Sequence, residues 1–186
     1  MPAAAWSASG SRTTSAAGAP RSSPAPSRSP SARGLLLAPH GGELRGPEHI
    51  RVCPDELQAD RLGHGVRAAE DPALLDRIVE AGVALEVCPV SNVALGVYSD
   101  LTSVPLPQLL AAGATIAPGA DDPLLFGSRL AGQYATMRAA HDLDDATPAG
   151  LARSSFAASR ARADPVTEST RQIDDWLASA PERMQP

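Results

Sequence analysis

Lysine is missing from this chain of 186 residues; all 16 basic side chains are arginine, set against 21 acids for a net charge of −5. Aromatic residues make up only 3%, too few for a base-stacking platform. The acidic balance likewise gives no electrostatic footprint for nucleic acid. No apolar run approaches the ~18 residues of a membrane span, and no signal-peptide core is present. Cys53 and Cys88 lie far apart without C-x-x-C spacing, so neither a disulfide framework nor a cysteine metal site is implied. The chain is expected in the cytoplasm, with no nucleic-acid and no membrane partner.

Residues 1–34 lack Val, Ile, Leu, Phe and every acid, and hold nine Ser, nine Ala, five Pro and four Arg. Such a stretch cannot bury enough apolar surface to offset the entropy of ordering its backbone. A Ser- and Arg-rich, acid-free start also suits a transit peptide. Pro20, Pro24, Pro26 and Pro30 forbid a continuous amphipathic helix there. A disordered tail over 1–34 and a folded domain over 35–186 are therefore expected. The tail carries +4, and 12 Arg against 21 acids leave −9 on the remainder.

Past residue 34, short β-type runs alternate with amphipathic stretches. The expected strands are Leu35–Ala38, Asp60–Gly63, Val83–Val87 and Ala114–Ala117. Between them Glu48–Leu57, Asp71–Ala81 and Pro105–Ala112 read as helices. In the clearest, Leu74, Leu75, Ile78 and Val79 share one face. Asp71 precedes Pro72 as cap and first helical residue, and Gly82 follows the end. This alternation argues for a parallel α/β sheet. Three more helices are expected over Ser128–His141, Thr147–Arg160 and Glu168–Ala180, with their Met and aromatic residues in the core. Pro54 lies inside the expected Glu48–Leu57 helix, where an interior proline costs about 3 kcal/mol. Pro118 is expected to end the last strand early.

Polar residues add a second regularity. His40 and Glu43 follow the first strand, His64 the second, Ser91 and Asn92 the third, Asp121 and Asp122 the fourth. Barrel enzymes build their active sites at the carboxyl ends of their strands. An imidazole suits zinc, and a carboxylate three residues on can serve the same cavity as acid or base. Cys88 reads as a small buried hydrophobe. His49 and His141 fall on helices without convergent partners and are expected to face solvent.

In order, the chain reads P-H-G-G-E-L, R-L-G-H-G, L-E-V-C-P-V-S-N and G-A-D-D-P-L-L-F. This series resembles the adenosine/adenine deaminase family, from about Leu35 to at least His141 and more loosely to Ala180. The resemblance implies the C-terminal half of a (β/α)8 TIM-type barrel, about four β/α units plus C-terminal helices. It implies Zn2+ as cofactor, a small-molecule purine as substrate, and hydrolytic deamination of an adenine ring with release of ammonia. Adenosine, adenine and aminodeoxyfutalosine are all substrates within the family. His40 and Asp121 match zinc ligands, and Glu43 matches the glutamate that protonates purine N1. His64 matches the histidine that orients the attacking hydroxide, and Asp122 the aspartate that bonds purine N7. Ser91 and Asn92 fall in a loop that shapes the pocket. The family's other two ligands come from an H-x-H motif, which this sequence does not contain. A catalytically inactive remnant, or a non-catalytic binding module of the same family, is therefore the alternative reading.

The composition of the first 34 residues makes a checkable statement. Limited proteolysis should trim them first and leave a fragment beginning near Leu35. Protection equal to that of the Asp71–Ala81 segment would refute a disordered tail.

Overall fold

The structure, a computed structural model, describes residues 35–179, so the expected tail over 1–34 lies outside the described residues. Three strands, β1 (His40–Gly41), β2 (Arg61–His64) and β3 (Ala84–Glu86), form a parallel sheet in the order β1-β2-β3. His40 pairs with Gly63, and Leu62 with Leu85. A parallel bridge from Leu85 to Ile116 adds a fourth extended segment beside β3. Sequence alternation and fold agree: the chain is an α/β protein with a parallel sheet.

The first strand differs from expectation. Pairing over Leu35–Ala38 is irregular, because the Leu37 carbonyl accepts from both Asp60 N–H and Arg61 N–H. Regular pairing begins only past Pro39, which has no N–H to offer a ladder. The fourth segment keeps its pairing through Pro118. Ala117 N–H donates to the Leu85 carbonyl and Gly119 N–H to that of Val87, at 2.8 and 2.9 Å. The position between them faces the open edge, where a proline costs no ladder bond.

Eight α-helices are assigned among the described residues: α1 (Pro47–Leu57), α2 (Pro72–Glu80), α3 (Pro89–Ala94), α4 (Leu106–Ala111), α5 (Pro123–Phe126), α6 (Leu130–His141), α7 (Ala146–Ala157) and α8 (Ala163–Ser179). In α2, Asp71 caps the start by accepting from Leu74 N–H at 3.1 Å. Leu74, Leu75 and Ile78 are buried on its inner face. The expected helix over Glu48–Leu57 forms as α1, which runs through Pro54. Residues 89–94, expected as loop, form α3 with Pro89 at its first turn. None of these helices is long and apolar enough to cross a membrane.

The core lies between the sheet and α1, α2 and α4, with Ile50, Leu62, Ile78, Leu85, Leu106, Leu109 and Ile116 at 0–1% exposure. Met137 of α6 joins it as expected. Trp176 does not: it is 46% exposed, and α8 buries no residue fully. That helix packs chiefly on α7, so its apolar stripe meets one neighbour instead of the sheet.

Two glycines with the same left-handed backbone separate strain from crowding. A Cβ on Gly82 (φ +66°) would meet nothing within 4 Å, whereas one on Gly65 (φ +66°) would lie 2.6 Å from Leu85 Cδ2. Gly82→Ala should cost about 1 kcal/mol, the left-handed penalty alone. Gly65→Ala should cost at least ~1 kcal/mol more, from overpacking in the core. Urea denaturation of the two variants measures the difference; equal losses would contradict the packing described.

Candidate active site

Each strand hands one polar group to the same end of the sheet, because parallel strands share their carboxyl ends. β1 runs into Gly41-Gly42-Glu43, and β2 ends on His64. The fourth segment passes through Gly119 to Asp121. His64 and Asp121 both hold left-handed backbones, with φ of 68° and 57°. Such conformations cost non-glycine residues of order 1 kcal/mol and cluster at functional sites.

These turns converge. One ligand-capable atom from each of Glu43, His64 and Asp121 lies within 4.8 Å of the others. His64 Nε2 stands 3.4 Å from Glu43 Oε1, without the alignment of a hydrogen bond. His64 is 4% exposed, and both its Nδ1 and Glu43 Oε1 are buried without a hydrogen-bond partner. His40 lies outside this trio, but its ring centroid is 5.3 Å from that of His64, tilted by 44°. It rests over Gly63, where even a Cβ would come within 3.0 Å of its ring. An open cavity of about 380 Å³ is lined by His40, His64, Asp121, Cys88 and the Arg61–Glu86 ion pair.

Asp122 stands apart. Its Oδ1 caps α5, accepting from Leu124 N–H and Leu125 N–H at 2.9 and 3.0 Å, while the residue is exposed. Ser91 and Asn92 are fully buried in α3. Ser91 Oγ donates to the Cys88 carbonyl at 3.0 Å and braces the turn behind the cavity, whereas both polar side-chain atoms of Asn92 are buried without a hydrogen-bond partner. The solvent-facing expectation for His49 and His141 is corrected. Both are only half-exposed, and His49 lines a small pocket with His40 and Glu43. Burial lowers the His141 pKa. No periodicity in α1 or α6 marks these positions, since the cover comes from neighbouring segments. Arg61 and Glu86, facing one another across β2 and β3 at 2.8 Å, were missed by sequence reasoning. Their alternation with Leu62 and Leu85 was the available signal.

The donor set, imidazole nitrogen and carboxylate oxygen, is of the kind that binds zinc. Two buried unpartnered atoms at this point, Glu43 Oε1 and His64 Nδ1, fit a site that receives a ligand.

Comparison with known proteins agrees with this geometry. The family described as adenosine deaminase matches residues 26–176. A Streptomyces coelicolor protein provisionally named adenosine/adenine deaminase is 56% identical over 146 residues, which cover 78% of this chain and 43% of that relative. The crystal structure of adenine deaminase from Arthrobacter aurescens matches at 30% identity with a TM-score of 0.76, over 80% of this chain and 46% of that one. Likeness of fold alone, at 21% identity and a TM-score of 0.68, extends to a Burkholderia ambifaria amidohydrolase with bound Zn, over 80% of this chain and 44% of that one. The chain thus spans less than half the length of each.

Cys88 offers a probe of the cavity wall. Burial pushes its thiol up to about 12, and the charge of Asp121 adds to the shift. A raised pKa leaves less thiolate at any given pH. At pH 8, iodoacetamide should alkylate the Cys88 peptide at least ~100-fold more slowly than a free thiol. Its rate should still climb between pH 9 and 11, where the free thiol levels off. Peptide mass spectrometry reads both; ordinary reactivity at pH 8 would show the wall to be open.

Proposed function

The chain belongs to the adenosine deaminase family, and from that premise we propose that residues 35–186 form the C-terminal half of a zinc-dependent (β/α)8 barrel, preceded by a tail over 1–34, that deaminates the adenine ring of a purine. The observation that carries the reading is the meeting of Glu43, His64 and Asp121 at the carboxyl ends of parallel strands. Barrel enzymes place their chemistry at that face.

In this reading His40 and Asp121, with further ligands of the H-x-H kind, would hold zinc, whose chemistry when bound would be Lewis-acid activation of water. Glu43 gives a proton to ring nitrogen N1, which lets C6 accept the attacking oxygen without holding a full negative charge. His64, seated against Glu43 at 3.4 Å, takes or holds the proton of the attacking water and keeps it oriented. The exocyclic amine then leaves as ammonia, and the 6-oxo product remains. Asp122 receives the purine through N7. Its second carboxylate oxygen is the one free to do so, because Oδ1 caps α5. The closed inner wall, with Cys88 at 5% exposure, limits water around the ring.

The test joins residues 35–186 behind the N-terminal half of a related deaminase, which restores an H-x-H pair. Zinc uptake and adenine-ring deamination should both appear. Glu43→Gln should then keep zinc and lose at least ~100-fold in turnover, as expected for removal of a proton donor. His40→Ala should lose metal and rate together. A folded, zinc-loaded hybrid that tolerates Glu43→Gln would sink the mechanism.

A further inference from the structure

We propose that this chain, by itself, binds one divalent ion of the zinc class through Glu43, His64 and Asp121, a ligand set different from the His40–Asp121 pair assigned above. The proposal shares the metal-site reading of the preceding subsection but does not depend on deamination.

Geometry favours the trio. Two ligand atoms held at about 2.1 Å from one ion lie at most about 4.2 Å apart. Glu43, His64 and Asp121 already present one atom each within 4.8 Å, so side-chain motion of under an ångström or so closes the shell. His40 lies outside the trio, is solvent-exposed, and lies over Gly63. To ligate, its ring would have to leave that platform and move inward.

Polar bookkeeping points the same way. His64 is 4% exposed, lines the cavity, and has a buried Nδ1 with no hydrogen-bond partner. Glu43 Oε1 is buried and unpartnered beside it. Buried polar atoms in folded proteins are nearly always satisfied, and here Glu43 Oε1 lies 3.4 Å from His64 Nε2 while Nδ1 of the same ring is left unpartnered. The cation lining this cavity, Arg61, is engaged with Glu86 at 2.8 Å. Two carboxylates and one imidazole thus meet without a positive charge of their own. One His nitrogen and two carboxylate oxygens give the three protein ligands that zinc sites normally require.

The consequence is functional. With its carboxylate on the ion, Glu43 cannot deliver a proton, and His64 cannot orient water. The metal-loaded chain alone is then catalytically silent. An incoming H-x-H pair would take over the ion and release both residues to act as acid and orienting base.

The test uses the full 186-residue chain, stripped of metal and titrated with Zn2+, with histidine side-chain NMR and a competing chromophoric chelator as readouts. Saturation at one equivalent is expected, with the His64 ring resonances moving on binding and those of His40 nearly still. Glu43→Gln and His64→Ala should each weaken affinity at least ~10-fold, and His40→Ala by less than ~3-fold. The opposite pattern, in which His40→Ala abolishes binding while Glu43→Gln binds like the parent, would overturn the proposal. So would the absence of one-equivalent saturation. If His64→Ala fails to fold, the parent chain still decides: unshifted His64 resonances at saturation overturn the assignment. Failure of the joined barrel to deaminate, with this ligand pattern intact, would remove the deaminase reading and leave the metal site standing. An active joined barrel with His40 as the ligand in the chain alone would do the reverse.

Discussion

Everything at the site depends on the parallel register of β2 between β1 and β3. His40 faces Gly63, and Gly63 in turn faces Glu86, so three strands bring their carboxyl ends to one level. A slip of one residue would exchange the cavity-facing Arg61 and Gly63 for the core-facing Leu62. Alternation alone would send His64 after Leu62 into the core. Its left-handed backbone, φ 68°, breaks the alternation and keeps the ring on the cavity wall. The same device recurs at Asp121, φ 57°. Strain at these two residues is the local cost of aiming two side chains at one point.

Glycines make the close approach feasible. At Gly63 the absent side chain leaves the space that the His40 ring occupies, and at Gly65 it leaves room for Leu85. The motif G-H-G around His64 is therefore a packing statement as well as a chemical one. Below the site, Asp60 ties three parts together: its carboxylate accepts from Leu37 N–H at 2.8 Å and pairs with Arg160 at 3.2 Å. Arg61 adds a long bond of 3.4 Å to the Ala158 carbonyl. The start of β2 thus anchors both the first segment and the turn that follows α7.

Membership of the adenosine deaminase family and the convergence of Glu43, His64 and Asp121 come from separate observations, one of sequence and one of geometry. They meet in a chain that contains no H-x-H and spans 43% of its Streptomyces coelicolor relative. Among the described residues, no further strand pairs with the outer edge of the fourth segment or of β1. Parallel sheets are stable when covered and continued. Leu124 and Leu125, beside Asp122, stand almost fully exposed and 71% exposed.

The sequence by itself determined the parallel α/β plan, the helix over Asp71–Ala81 and the four motifs that end its strands. These are local matters: apolar periodicity selects helix or strand, and Asp71, Pro72 and Gly82 mark the ends of α2 through caps that act within one turn. Tertiary structure decided the rest. It set strand pairing past Pro39 in place of Leu35–Ala38, turned residues 89–94 into a helix, and left Trp176 at the surface. It also chose which polar side chains meet, drawing Glu43 and His64 together with Asp121 while His40 lies over Gly63. No spacing along the chain encodes that choice, because it depends on contacts between residues 21 to 78 positions apart, from Glu43 with His64 to Glu43 with Asp121, and those distances are fixed only once the sheet has closed its register.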